Sequence, residues 1–86
     1  MNETPTTDQL QTIQLQTLNA APVYWTAQAM QEQGSRFFQH LGAALFAADL
    51  ANRRIIYMTW PEACWDFYQR GLILQAAQET GAEQEH

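Results

Sequence analysis

The sequence predicts an all-α protein, a compact bundle of three to four short helices between flexible N- and C-terminal arms. Three observations predict it. Apolar residues recur at i, i+3 and i+4 from residue 22 onward. Proline, glycine, serine, threonine and aspartate fall where helices start and stop. No segment alternates with period two for long enough to build a sheet.

Residues 1–19 are rich in Thr and Gln, and their apolar residues, Leu10, Ile13, Leu15 and Leu18, fit neither a clean helix stripe nor a strand. This stretch reads as a flexible arm in which Asp8 is able to cap a short helix. The bundle proper is expected over residues 20–78. Asn19 is a candidate N-cap and Pro22 sits in a first turn, opening a helix from Pro22 to Gln33 with Val23, Tyr24, Ala27, Met30 and Gln31 at helical spacing. Gly34 ends it and Ser35 offers the next N-cap. The second helix, Ser35 to Ala48, carries Phe37, Leu41, Ala44, Leu45 and Ala48 on one face, widened by Phe38 and Phe46. Gly42 within it costs about 1 kcal/mol relative to Ala, so close packing against a neighbour is the expected compensation.

Asp49 or Asn52 caps a short third helix, Ala51 to Met58, with Ile55, Ile56 and Met58 as its inward residues. Thr59-x-x-Glu62 has capping-box spacing, and Pro61 falls in the first turn of a fourth helix. Its stripe is Trp60, Cys64, Phe67, Gly71 and Leu74, flanked by Tyr68 and Leu72. Residues 79–86 form a polar, acidic tail expected to fray.

At 86 residues this is one domain, of a size that buries only about 60% of the surface its unfolded chain exposes. The single cysteine rules out an internal disulfide framework, so helix packing or oligomerisation must supply the stability. The net charge of −5 is an effect of the ends. Between Ala20 and Gln78, Arg36, Arg53, Arg54 and Arg70 cancel Glu32, Asp49, Glu62 and Asp66, and the excess lies in Glu3, Asp8, Glu79, Glu83 and Glu85. A neutral bundle argues against nonspecific nucleic-acid binding. The longest apolar run, Ala43 to Ala48, is far short of the roughly 20 residues a membrane span needs, and the polar N-terminus is no signal peptide, so a cytoplasmic protein is expected.

Chemistry is sparse. Cys64 and His40 could form a thiolate–imidazole pair, but a cysteine on the apolar side of an aromatic helix reads better as a small hydrophobe. His40 and His86 have no companions at metal-ligand spacing, no phosphate loop occurs, and neither a cofactor nor a catalytic residue is expected. The most informative polar group is Arg53 and Arg54 with Tyr57 and Trp60, since arginine stacks on aromatic rings and forks onto carboxylates and phosphates. The plainer reading pairs one of these arginines with Asp49 or Asp66. All ten aromatic residues lie between Tyr24 and Tyr68, too many for so small a core to hide. An interaction surface is therefore expected over Arg53, Arg54, Tyr57, Trp60, Trp65 and Tyr68, serving a homodimer or another protein.

The Phe37–Phe38 pair, the Ala48–Asp49 helix end, Asn52, the Trp60–Pro61–Glu62 turn, and Trp65 with Tyr68 together resemble a family of small all-helical proteins encoded by bacteriophages and prophages. The likeness spans Tyr24 to Tyr68 and involves capping and core residues, so it implies fold before function. For such a protein the resemblance implies non-enzymatic, stoichiometric binding of a host protein, for example a component of a defence system, in the host cytoplasm. Alternatives are an oligomer that sequesters a nucleotide at the Arg53–Arg54–Trp60 corner, or a virion or assembly component.

Overall fold

Five helices in succession form the chain of this computed structural model: α1 (Thr7–Ala20), α2 (Val23–Gln33), α3 (Arg36–Ala47), α4 (Leu50–Thr59) and α5 (Pro61–Gln84). Residues 6–84 are described, with side-chain surroundings through residue 80. Among these residues there is no strand, and no helix is long and apolar enough to cross a membrane.

The extra helix is α1, where a flexible arm is expected. Its start is a capping box: the Gln9 amide donates to Thr6 Oγ1 (3.1 Å) and the Thr6 amide donates to Gln9 Oε1 (2.9 Å). The inner stripe is Gln11, Gln14, Leu15 and Leu18, half of it polar, while Leu10 and Ile13 face outward. That mixture hides the helical period from a hydrophobicity reading. Asn19 is not the N-cap of α2. It lies in the last turn of α1, where its Nδ2 donates to the Leu15 carbonyl, and Pro22 occupies the cap position. Residues 1–5 of the expected arm lie outside the described residues.

α2 is the hub, packing most extensively on α3 and α5, while α1 lies against α5 and α4. The reason is the smallness of its neighbours at the crossings. Gly42 and Gly71 are both buried. A β-carbon on Gly42 would lie 2.9 Å from the Ala27 carbonyl oxygen and 2.9 Å from Met30 Cβ, so the close approach expected at Gly42 is present between α3 and α2. At Gly71 it would lie 2.6 Å from the Trp25 carbonyl oxygen, bringing α5 backbone against α2 backbone. Ala27, Ala29, Met30, Leu45, Cys64 and Phe67 fill the core between these three helices, joined by Leu18 from α1 and Tyr57 from α4.

Two caps differ from expectation. Asp49, not Asn52, caps α4, accepting from the Asn52 amide at 2.9 Å. The Thr59-x-x-Glu62 box does not form, because Thr59 is still the last residue of α4 and its hydroxyl donates to the Ile55 carbonyl. Trp60 alone separates α4 from α5: its amide donates to Ile56 and its carbonyl accepts from Cys64. Pro61 then opens α5 at the first helical position, where its missing N–H costs nothing. α5 continues past Gln78 to Gln84, well into the expected tail, although residues 76–80 are all exposed; residues 85–86 lie outside the described residues.

Candidate functional site

Four of the six expected surface residues come from α4 and the turn that follows, and their placement is set by the phase of that helix. Runs such as Ile55-Ile56-Tyr57-Met58 leave the phase open, since every residue is apolar. The structure turns Tyr57 inward, 2% exposed, as the only buried residue of α4. Tyr57 is therefore a core residue and no part of a surface. Ile55 and Met58, expected to point inward, are 58% and 67% exposed, and Ile56 is half-buried.

Arg53, one turn before Tyr57, is half-buried, and its Nε donates to the Ala48 carbonyl at 3.1 Å, closing the α3–α4 turn. Arg54 is exposed. Neither arginine pairs with Asp49 or Asp66; Asp66 pairs instead with Arg70 at 2.8 Å, one turn along α5 and about half exposed at both ends. Such exposed pairs contribute about 0.3–0.5 kcal/mol. Arg70 also covers the Phe67 ring at 5.1 Å.

Aromatic rings form three clusters. Trp60 meets Phe37 edge-on at 5.4 Å, Phe37 meets Phe38, and Phe38 meets Phe67, a chain of rings from the surface to the core. Trp65 and Tyr68 stack on each other at 5.1 Å, with Trp65 beside Leu10 and Gln14 of α1. Tyr24 joins Trp25 and Phe46. Trp60, Trp65 and Tyr68 are half-buried. Of the face expected to point inward on its helix, Leu45 is buried and Leu41 and Phe38 are half-buried, but Phe37 is half exposed and Ala44 exposed, while Gly42 is buried.

The concavities are shallow. Ala21, Pro22, Trp25, Thr26, Tyr68, Leu72 and Gln75 line a crevice of about 60 Å³ beside the Gly71 crossing, too small for a nucleotide. An open groove of about 420 Å³ runs between α3 and α4, lined by Ala44, Ala47, Ala48, Asn52, Ile55 and Ile56. The signal that marks it in the sequence is the Ala44/Ala47/Ala48 spacing opposite Ile55. Ala44 and Ala48 are expected on the inner face of their helix and Ile55 on that of its own, and the structure leaves Ala44 and Ile55 exposed and Ala48 half-buried.

Cys64 is fully buried, and burial pushes its thiol from the ordinary 9.0 up to about 12. The Tyr57 phenol is likewise pushed up to about 12, by burial first and the neighbouring Cys64 thiolate second, with Arg53 opposing. A thiol this reluctant to ionise is a packing residue; Sγ faces the Ile56 carbonyl at 3.9 Å, and His40 is exposed. Among the described residues no group of three His, Cys, Asp or Glu side chains converges to hold a metal. The unfolded chain releases both protons more easily than the folded one. This contribution to stability is thus complete below about pH 9 and is lost as pH rises toward 12. Melting temperature is expected to fall progressively above pH 9, and Tyr57→Phe and Cys64→Ala each to flatten that fall. A profile that is level to pH 11 in the wild type would contradict it.

The described residues thus define an all-helical chain with aromatic and aliphatic side chains left at its surface. No protein-family model matches the chain, and no curated protein or solved structure matches it either.

Proposed function

We propose that the protein is a non-enzymatic accessory protein of the phage type that acts by stoichiometric protein–protein binding, with a host protein, such as a defence-system component, as its target class and self-association as a second habit. The observation that carries this reading is the apolar surface. Phe37, Ile55, Met58, Leu72 and Ile73 are each about half exposed or more. Aromatic and arginine side chains are what binding hot spots favour, and Trp60, packed edge-on against Phe37, and Arg54 supply the two kinds. The likeness of the Phe37–Phe38, Asp49 and Trp60–Pro61–Glu62 pattern to small phage proteins supports the accessory role.

The nucleotide-sequestering alternative has less support, because Tyr57 is withdrawn into the core and the Arg53 side chain is committed to the Ala48 carbonyl. Tagged protein incubated with host lysate is expected to retain one protein at a fixed ratio. Trp60→Ala should lower that retention at least tenfold, and Arg54→Ala less, with circular dichroism confirming that both variants stay helical. Native mass spectrometry of the purified chain is expected to show no added small-molecule mass. A retained mass of nucleotide size would displace this reading in favour of sequestration.

A further inference from the structure

We infer that the cleft between the first half of α1 and the start of α5 is a binding site for an arginine side chain presented by a partner protein, with Trp60 and Trp65 as its aromatic walls and Glu62 as its counter-charge. This rests on the reading of the protein as a binding protein and names the chemistry of its partner.

Two open hollows adjoin there. One, of about 240 Å³, is lined in part by Leu10, Gln11 and Gln14 of α1 and by Glu62 and Trp65 of α5. The other, of about 290 Å³, surrounds the α4–α5 turn and includes Trp60; Gln11 and Glu62 line both. Each hollow thus has one tryptophan, and the two share a carboxylate. Spacing along the helices brings this about, since Glu62 and Trp65 are three residues apart on α5 and Gln11 and Gln14 three apart on α1, so that each pair lies on one helix face. The rings are held in place before anything binds. Phe37 meets Trp60 edge-on at 5.4 Å, the Trp60 carbonyl accepts from the Cys64 amide, and Tyr68 stacks on Trp65 at 5.1 Å. Side chains already ordered lose little freedom on binding.

Charge selects the occupant. Glu62 is exposed and is the one ionisable residue lining either hollow. The wall opposite it, α1, has no basic residue, and its only charged one is Asp8. A place in the first turn of α5 is reason enough for a carboxylate by itself, because the helix N-terminus favours negative charge. It does not explain the two tryptophans around that carboxylate, nor the half-buried Gln11 and Gln14, which occupy inner positions of α1 where apolar residues would bury more favourably. An arginine uses all of them: indole attracts a cation to its face, the carboxylate accepts a forked pair of N–H groups, and glutamine oxygens can accept the rest. A quaternary ammonium has no N–H to give those oxygens, and an anion would be repelled by Glu62. The arginine must come from another molecule, for Arg53 is committed to the Ala48 carbonyl and Arg70 to Asp66, and no arginine lines either hollow.

The test is a titration of the full chain with the peptide acetyl-Gly-Arg-Gly-amide, followed by the indole N–H resonances of the three tryptophans. Its counterpart with citrulline, which keeps the shape and removes the charge, is the control. The Trp60 and Trp65 signals are expected to move saturably with the arginine peptide while Trp25, which lines neither hollow, stays still. Glu62→Gln, a change at an exposed position whose helicity is checked by circular dichroism, should weaken binding at least fivefold. Trp60 and Trp65 signals that do not move, that move equally with the citrulline peptide, or that respond unchanged in Glu62→Gln overturn the site. Tighter binding of a trimethyllysine peptide overturns the choice of arginine. Self-association of the wild type that is lost in Arg54→Ala would seat a second copy's arginine there and overturn the foreign partner. The lysate capture separates this from the functional reading: capture that survives Glu62→Gln ends the arginine inference alone, whereas peptide binding without any capture ends the host-binding reading alone.

Discussion

Gly71→Ala is expected to destabilise the protein by about 3 kcal/mol, against the usual rule for glycine in a helix. Helix propensity by itself favours the substitution by about 1 kcal/mol, since Gly71 lies in the middle of α5 with ordinary helical backbone. The local term loses to the tertiary one. The added methyl would sit 2.6 Å from the Trp25 carbonyl oxygen, 2.7 Å from its carbonyl carbon and 3.1 Å from the Thr26 amide nitrogen. These are backbone atoms inside α2, which cannot rotate aside as a side chain can, so α5 and α2 have to separate along the crossing. Separation there loosens Cys64, Phe67, Ala27 and Met30, which are buried between the same helices. In a domain of this size about 3 kcal/mol corresponds to a drop of at least about 12 °C in melting temperature. Gly42→Ala should cost less, because its closest approaches, the Ala27 carbonyl oxygen and Met30 Cβ, lie at 2.9 Å rather than 2.6 Å, and the third, Gln31 Cγ at 3.1 Å, belongs to an exposed side chain that can turn aside. Urea or thermal unfolding of the two variants checks the order; a Gly71→Ala protein as stable as the wild type would mean that the two helices are not in contact there.

The same crossings mark what could be read from the sequence. Gly42 announces a tight helix contact because a helix former was forgone at a position where nothing local requires glycine, and the contact exists. The junctions at Gly34, Asp49 and Pro61 were legible for the same kind of reason, as punctuation that acts over a few residues. α1 was illegible to a hydrophobicity pattern because glutamines occupy half of its inner stripe, yet Thr6-x-x-Gln9 is a complete capping box written within four residues. Thr6, not Asp8, is the cap, and Asp8 lies in the first turn. The candidate site failed in a different way. On α4 four apolar residues in a row fit several rotations of the helix equally well, and only packing against α1, α5 and α3 decides which one points inward. Tyr57 was thus assigned to the surface and Ile55 to the core, when the reverse holds. A rotation of about one residue exchanges the exposed face for the buried one.

Tyr57→Ala is the second large effect, expected at about 3–5 kcal/mol, the range for emptying an aromatic site in a core. For a chain of 86 residues that is a major fraction of a total stability of about 4–13 kcal/mol. The loss should also be unevenly distributed. Tyr57 is the one buried residue of α4, a helix of ten residues that is too short to persist by propensity alone. Without that ring, α4 retains only the half-buried Ile56, the Asp49 cap and the Arg53–Ala48 hydrogen bond to hold it on the bundle. Hydrogen exchange is therefore expected to accelerate most in the amides of α4, ahead of those of α2 and the middle of α5, which Met30, Leu45 and Phe67 still hold together. Tyr57→Phe keeps the ring and should stay within about 1 kcal/mol of the wild type near neutral pH. Uniform acceleration across all five helices in Tyr57→Ala would mean that α4 unfolds only with the whole chain. If α4 loosens alone, the α3–α4 groove loses its Ile55 wall without the core being lost. Circular dichroism should then still report a folded α2, α3 and α5 in Tyr57→Ala at temperatures where the amides of α4 already exchange freely.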